Sequence, residues 1–273
     1  MFETRRPRSN LASALQMADL IYHSSVRSIR NTHGNALMSI AMNLLQMAIM
    51  VAAFYVMFSL LGLRGAAVRG DFLLYILSGI FLYMTHVKTL GAVVGSEGPS
   101  GAMMKHAPMN TMISICANSL SSLYIQTLSL LLILFGYHVG VKPFEIQAPA
   151  AAFGMLLLAW FTGIALGMVL LAIKPWAPSF VSIATTVYQR ANMIASGKMF
   201  LANSLPSERR HLFDWNPLFH IIDQSRGFVF INYNPHYSNR EYPFYMGIAF
   251  LMVGLMGEFF SRRHVSASWY AKR

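Results

Sequence analysis

Hydroxyl and amide side chains recur at helical spacing inside three long apolar stretches of the chain. The three series are Ser39, Asn43 and Gln46; Asn118, Ser122, Gln126 and Ser129; and Ser182, Thr185, Gln189, Asn192 and Ser196. Residues three and four apart lie on one side of a helix, so each series forms one polar face. Such faces either line a hydrated conduit or join helices through hydrogen bonds. A single series favours the joining role, whereas the three together favour a conduit.

Two basic residues accompany these faces. Arg190 lies well inside an apolar stretch, and Lys88 lies near the end of another, beside His86. A charge in hydrocarbon costs several kcal/mol unless it faces protein or water. We therefore expect a path for an anionic substrate, lined by Arg190, Lys88, Gln189, Asn192, Asn118 and Gln126. The alternatives are an interfacial position for the Lys88 amine and a buried structural ion pair for Arg190.

The remaining residues match no enzyme motif. The sequence contains no Walker-type phosphate loop and no G-x-S-x-G, and no two of its nine histidines stand three or four residues apart. The single cysteine, Cys116, excludes an intrachain disulfide. We predict a protein that is not an enzyme and that holds no metal or cofactor of its own. Any ATP would then be bound by a partner subunit.

The composition indicates that lipid surrounds most of the chain. Of the 273 residues, 55% are hydrophobic and 11% are charged, against roughly 25% charged residues in a typical soluble domain. Six apolar stretches approach the length of about 20 residues that a membrane crossing needs: residues 37–63, 72–94, 112–137, 150–173, 180–201 and 244–260. We predict an all-α membrane protein with six transmembrane helices. The fifth is the least apolar, because it contains Arg190 and Lys198, and the fourth carries Gly163 and Gly167, a pattern of close helix packing.

The positions of the basic residues predict the orientation. The formal net charge is +11, but the excess lies beside the apolar stretches, so we do not expect nucleic acid as a partner. The residues that flank the first and last stretches are Arg5, Arg6, Arg8, Arg27 and Arg30, and Arg262, Arg263, Lys272 and Arg273. Because Lys and Arg collect at the cytoplasmic ends of spans, both termini are expected in the cytoplasm.

The leader before the first span has the pattern of an amphipathic helix. Apolar residues recur every three or four positions from Leu11 to Ile29, and Arg27 and Arg30 lie on the polar face. We predict that this helix lies in the cytoplasmic interface of the membrane; the alternative is a soluble helix that contacts a partner. The predicted organisation is a leader over residues 1–36, a six-span domain over 37–260 and a basic tail over 261–273.

The loop over residues 95–110 is rich in glycine and proline, which interrupts any continuous helix. It is the longest internal loop on the predicted cytoplasmic side. Met104, Lys105 and His106 are therefore expected to contact a partner ATPase, together with Arg27 and Arg30 of the leader.

The outer segment, residues 202–243, lies between the fifth and sixth predicted spans. Asn216 is predicted to cap a short helix that begins at Pro217. Leu218, Ile221 and Ile222 would then give this helix an apolar side. A helix of this length either dips into the membrane against other helices or lies on its surface.

Two segments of the chain, the longer of them in the C-terminal third, resemble a known family. The string MFLANSLPSERRHLFDWNPLFHIIDQSRGF over residues 199–228 and the string RSIRNTHG over residues 27–34 carry the resemblance. Both are similar to segments of the permease subunits of capsular polysaccharide ABC exporters, the KpsM-like branch of the type 2 ABC exporters.

This resemblance implies a homodimer of six-span subunits in the bacterial inner membrane, driven by two cytoplasmic ATP-binding subunits. It implies export of a lipid-linked glycan, a periplasmic adaptor and an outer-membrane export channel. It also implies that the outer segment forms a gate, for which the expected residues are Asn216, Pro217, Leu218 and Arg226. The basic residues of the path suit an acidic polymer. The alternatives are an ABC permease for a small lipid or drug, and a membrane scaffold that transports nothing.

Overall fold

A computed structural model describes residues 10–31, 35–60, 62, 71–96 and 110–264, whose regular secondary structure is helical throughout. The helices are α1 (Asn10–Asn31), α2 (Ala36–Leu60), α3 (Phe72–Val94), α4 (Thr111–Gly140), α5 (Pro149–Ile173), α6 (Pro178–Ala195), α7 (Ser207–Arg210), α8 (Pro217–Val229) and α9 (Glu241–His264). A short 3₁₀ turn covers Ala202–Ser204.

Five of the described helices are long and apolar enough to cross a membrane. They are α3, α4, α5, α9 and residues Leu37–Leu60 of α2. The prediction of an all-α membrane protein is confirmed at this level. The helix at the fifth predicted span, α6, is not among the five, because its polar residues, Gln189, Arg190 and Asn192 among them, make it too weakly apolar.

The α6 helix ends earlier than the apolar stretch of the sequence. The stretch runs to residue 201, whereas the helix ends at Ala195. Gly197 has a φ of 74°, a conformation that glycine adopts readily after a helix. A Cβ atom at this position would also lie 2.7 Å from a ring carbon of Phe219. The chain therefore turns at Gly197 and continues across α3.

The α3 helix is the centre of the bundle. Within its most apolar window 83% of the residues are buried by protein, compared with 22% for α2 and for α9. Its closest neighbour is α5: a Cβ atom at Gly163 would lie 2.7 Å from the His86 carbonyl oxygen, and one at Gly167 would lie 2.9 Å from Val93 Cβ. The two glycines of α5 thus allow the backbones to approach, as their spacing predicts.

The α1 helix packs on α4. Ser28 Oγ donates a hydrogen bond to Asn118 Oδ1 at 2.6 Å, and Ser121 Oγ donates to the Ser25 carbonyl at 2.9 Å. These bonds fix α1 at the end of the bundle where α2 and α4 begin and α3 ends, which we call the leader end. The α8 helix lies at the opposite end, where α3 and α5 begin.

Candidate functional site

A cavity of about 520 Å³, lined by polar and apolar side chains, opens at the leader end, between α1, α2, α3 and α4. Three of the predicted path residues line it: Lys88 from α3, and Asn118 and Gln126 from α4. Asn43, Gln46 and Ser122, which belong to the polar series of the sequence, line it as well. The fold therefore brings two of the three polar faces together around one cavity.

The cavity contains one described cation and no described acidic side chain. Lys88 Nζ donates a hydrogen bond to Gln46 Oε1 at 2.6 Å. A single amide oxygen leaves two of the three ammonium protons available for a ligand. The electrostatic character of the cavity therefore favours an anion.

The amides of the cavity also hold the helices together. Asn43 Nδ2 donates to Ser129 Oγ at 2.8 Å, Gln126 Nε2 donates to Asn43 Oδ1 at 3.2 Å, and Asn118 Nδ2 donates to Ser96 Oγ at 2.9 Å. Gln126 Oε1 is buried and has no hydrogen-bond partner among the described residues. The same side chains thus join the helices and line the cavity, and one buried acceptor is left without a partner among the described residues.

The cavity also has an apolar part. Met42, Leu45 and Ile49 of α2, which we call the apolar rim, line it and are exposed on the outside of the bundle. The combination of polar and apolar lining matches a ligand that has a polar head and an apolar tail.

The path residues of α6 lie elsewhere. Gln189 is next to α3, where its Nε2 donates to the Val87 carbonyl at 3.4 Å and its own carbonyl accepts from Tyr83 Oη at 3.0 Å. Arg190 is exposed, and it forms no ion pair with another described residue. The six predicted path residues therefore form two groups, one around the cavity and one on α6.

Asn192, the third path residue on α6, contacts the start of α8. Asn216 caps α8 by accepting a hydrogen bond from the Leu218 amide at 3.0 Å, and Pro217 is the first residue of the helix, as predicted. Asn216 Nδ2 also donates to Asn192 Oδ1 at 2.8 Å and to the Ala195 carbonyl at 3.0 Å. The cap of α8 is therefore bonded to the last turn of α6.

The two sides of α8 have different neighbours. Leu218, Ile221 and Ile222 are completely buried in the core. On the polar side, Asp223 accepts hydrogen bonds from the Ala202 amide at 3.2 Å, from Ser238 Oγ at 2.7 Å and from Tyr233 Oη. Burial and the adjacent carboxylate raise the pKa of Tyr233, which keeps its hydroxyl a donor. The carboxylate thus binds chain segments that precede and follow α8.

Arg226 is a fully buried arginine on α8. Its guanidinium donates to the carbonyls of Gly197, Phe200 and Lys198 at 2.9, 2.7 and 2.7 Å, and it lies 4.2 Å from the ring of Tyr75. These bonds hold the turn that follows α6 against α3.

Two polar residues with unusual surroundings are absent from the predicted site. His86 is buried between three helices: its Nδ1 lies 3.0 Å from Thr162 Oγ1 and its Nε2 lies 2.9 Å from Tyr188 Oη. Lys198 is buried against aromatic rings. The sequence shows each of them as a titratable side chain inside an apolar stretch. It does not show their neighbours, which are distant in sequence.

The residues predicted to contact an ATPase are described only in part. Met104, Lys105 and His106 lie outside the described residues. Arg27 is exposed on α1, and Arg30 belongs to the same helix. Within the described part of the chain, no group of three or more His, Cys, Asp or Glu side chains is placed to hold a metal ion.

Comparison with known proteins gives no relative: no protein-family model matches the chain, and no curated protein matches it.

Proposed function

We propose that this chain is the transmembrane permease subunit of an ABC exporter that moves an acidic, lipid-linked surface polysaccharide across the bacterial inner membrane. The observation that carries the proposal is the cavity among helices of membrane-crossing length, in which Lys88 is the one cation among the described lining residues. A cavity with both polar side chains and an apolar rim suits an amphiphilic anion. It has no evident use in a protein that only holds other subunits.

The proposal includes six membrane crossings, with α6 as the fifth. At 1.5 Å per residue, the 18 residues of α6 extend over about 27 Å, close to the roughly 30 Å of the hydrocarbon core. Both termini, α1 and the loop over residues 95–110 would then be cytoplasmic, with α1 in the membrane interface. The segment that contains α8 would lie at the outer side and act as the gate.

The proposed partners follow from the same arrangement. An exposed arginine on a helix in lipid is costly, which favours a second subunit or a substrate next to Arg190. We propose a homodimer with two cytoplasmic ATP-binding subunits, docked on residues 95–110 and on α1. A periplasmic adaptor and an outer-membrane channel would complete the route, as the family resemblance implies.

The test is purification of the chain with its ATP-binding subunit and reconstitution in vesicles. ATP hydrolysis and export are measured with a glycolipid that carries a carboxylate and with its methyl ester. We expect the acidic glycolipid to stimulate hydrolysis and to be exported. If no ATPase co-purifies and neither glycolipid moves, the scaffold alternative is correct.

The cavity residue Lys88 gives a sharper version of this test. Lys88→Gln should lower export of the acidic glycolipid by about tenfold, the loss expected for one charge-assisted contact, and should leave export of the ester unchanged. Lys142→Gln, which changes an exposed lysine outside the cavity, is the matched control. Equal export of the acidic glycolipid by the wild type, Lys88→Gln and Lys142→Gln would show that Lys88 is not part of the substrate path.

A permease for a small lipid or drug is the second candidate. The apolar rim formed by Met42, Leu45 and Ile49 favours it, since this rim would also fit a ligand without sugars. Stimulation of the ATPase by a phospholipid or an amphipathic drug, but not by either glycolipid, would select this function.

A further inference from the structure

Among the described lysines, Lys198 has the most unusual surroundings for a basic side chain. Its side chain is 3% exposed, and its amine has no hydrogen-bond partner among the described residues. The nearest groups are two aromatic rings: Nζ lies 3.6 Å from the ring centre of Tyr83 and 4.9 Å from that of Phe54. The amine is thus covered by α3 on one side and by α2 on the other.

The backbone of Lys198 is held in place, so its side chain starts from a defined point beside α3. Arg226 binds the Lys198 carbonyl at 2.7 Å. The chain crosses α3 at Gly79, where an added Cβ atom would lie 2.9 Å from Lys198 Cβ. A side chain at position 79 would displace this segment.

Lys198 and Lys88 lie along the same seam between α2 and α3. Lys88 contacts Gln46 of α2, and Lys198 contacts Phe54, which is eight residues further along α2, or about 12 Å along the helix axis. Neither amine forms an ion pair within the described part of the chain. Two amines without counter-ions therefore face one helix–helix boundary.

We infer that Lys198 is a second contact for the anionic groups of the substrate, reached from the Lys88 cavity along the seam between α2 and α3. Carboxylates and phosphates are the groups concerned. This inference rests on the proposed function, because it assigns a further residue to the same path. In the state described here the rings of Phe54 and Tyr83 cover the amine.

The energetic argument concerns the missing partner. A cation–π contact contributes about 0.5–2 kcal/mol, less than the several kcal/mol that an unpaired amine costs in apolar surroundings. An arriving anion supplies the missing partner. Phe54 is itself buried in the core, so its ring must move before an anion can reach the amine.

The first test measures binding without requiring transport. Reaction of Lys198 with a small acetylating reagent is quantified by peptide mass spectrometry in detergent. Phe54→Ala should increase the reaction severalfold, and the acidic glycolipid should reverse the increase while its methyl ester does not. Equal reactivity with both glycolipids would overturn the inference, whatever the fate of the proposed function.

The second test uses export in vesicles. Lys198→Gln should lower export of the acidic glycolipid by about tenfold and leave that of the ester unchanged, and Lys198→Arg should retain most activity. Lys174→Gln is the control, because this lysine binds the Val94 carbonyl away from the seam. If Lys88→Gln discriminates between the two glycolipids but Lys198→Gln does not, the inference fails and the proposed function stands. If the wild type exports neither glycolipid, the proposed function fails and the binding test alone decides the role of Lys198.

Discussion

Arg226 contributes to the fold through the backbone oxygens that it binds. The turn after α6 has carbonyls that no helix satisfies, and three of them accept hydrogen bonds from this one guanidinium. Buried polar groups without partners cost about 1–3 kcal/mol each. A planar side chain with several fixed donors is suited to this task, and the Tyr75 ring covers its face.

Replacement of Arg226 by lysine should therefore destabilise the protein although the charge is kept. An ammonium cannot reproduce the fork, so we expect a loss of about 1.5–3 kcal/mol, the contribution of at least one charge-assisted hydrogen bond. Thermal unfolding in detergent measures the effect. The control is Arg240→Lys, at an exposed arginine, which should leave the melting temperature unchanged. Equal melting of the two variants would show that the three carbonyls do not depend on the guanidinium.

Asn216 has two separable roles, because its oxygen caps α8 and its nitrogen bonds to α6. Asn216→Asp keeps the capping oxygen and loses the donor, whereas Asn216→Ala loses both. We expect a cost of about 0.5–2 kcal/mol for the lost cap in the alanine variant. The aspartate variant should be less stable than the alanine variant, because its second carboxylate oxygen would be buried against the Asn192 and Ala195 oxygens that now accept from the amide nitrogen. The free energy of unfolding is measured by chemical denaturation, followed by the loss of the helical signal. Identical values for the two variants would mean that the contacts of the amide nitrogen contribute nothing measurable.

Some of these residue roles could be predicted from the sequence and others could not. Asn216 and Pro217 follow a local rule about helix starts, and the rule holds. The partners of Lys88, Arg226 and Lys198 lie 26 or more positions away in sequence or on other helices. Such contacts depend on how helices are arranged, which helical periodicity does not contain.

At the scale of elements, the contact between α3 and α5 depends on small residues. The Cβ of a valine at Gly163 would lie 2.7 Å from the His86 carbonyl oxygen, so the helices would have to separate. Gly163→Val should sharply reduce the yield of monodisperse protein in size-exclusion chromatography. Gly154→Val, on the same helix, is a close control, because an added Cβ there meets nothing within 4 Å. Similar yields for both variants would contradict close packing at Gly163.

The crossing by α6 can be tested with two exposed residues. In a Cys116→Ala background, Lys142→Cys and Tyr237→Cys are labelled by a membrane-impermeant thiol reagent. Six crossings put these positions on the same side, since both α5 and α6 then separate them. If α6 does not cross, they lie on opposite sides, and only one of the two is labelled from outside.

Hydropathy predicted the helices that have continuous apolar character, which is why five of the predicted stretches coincide with membrane-length helices. The end of α6 was predicted less well, because residues 196–201 are apolar in part but serve to cross α3 rather than to extend a helix. Apolar residues indicate that a segment is buried, but they do not distinguish a buried turn from a transmembrane helix.

At the scale of the whole molecule, one helix joins the two regions of interest. Near its C-terminal end, α3 contributes Lys88 to the cavity. Near its N-terminal end, Gly79 contacts the turn that follows α6, and Tyr75 contacts the guanidinium of Arg226 on α8. The cavity and α8 thus share a rigid neighbour. The sequence favoured one conduit lined by all six path residues, whereas only three of them, Lys88, Asn118 and Gln126, line the cavity.

The contact between α1 and α4 has a consequence for biogenesis. The hydrogen bonds from Ser28 to Asn118 and from Ser121 to Ser25 join residues 90 and 96 positions apart. Because α1 is synthesised before α4, it must wait for the start of α4 before it can take its final place. During synthesis, α2 and α3 enter the membrane while α1 still lacks its partner. Closure of the cavity wall is accordingly a late event in the assembly of the leader end.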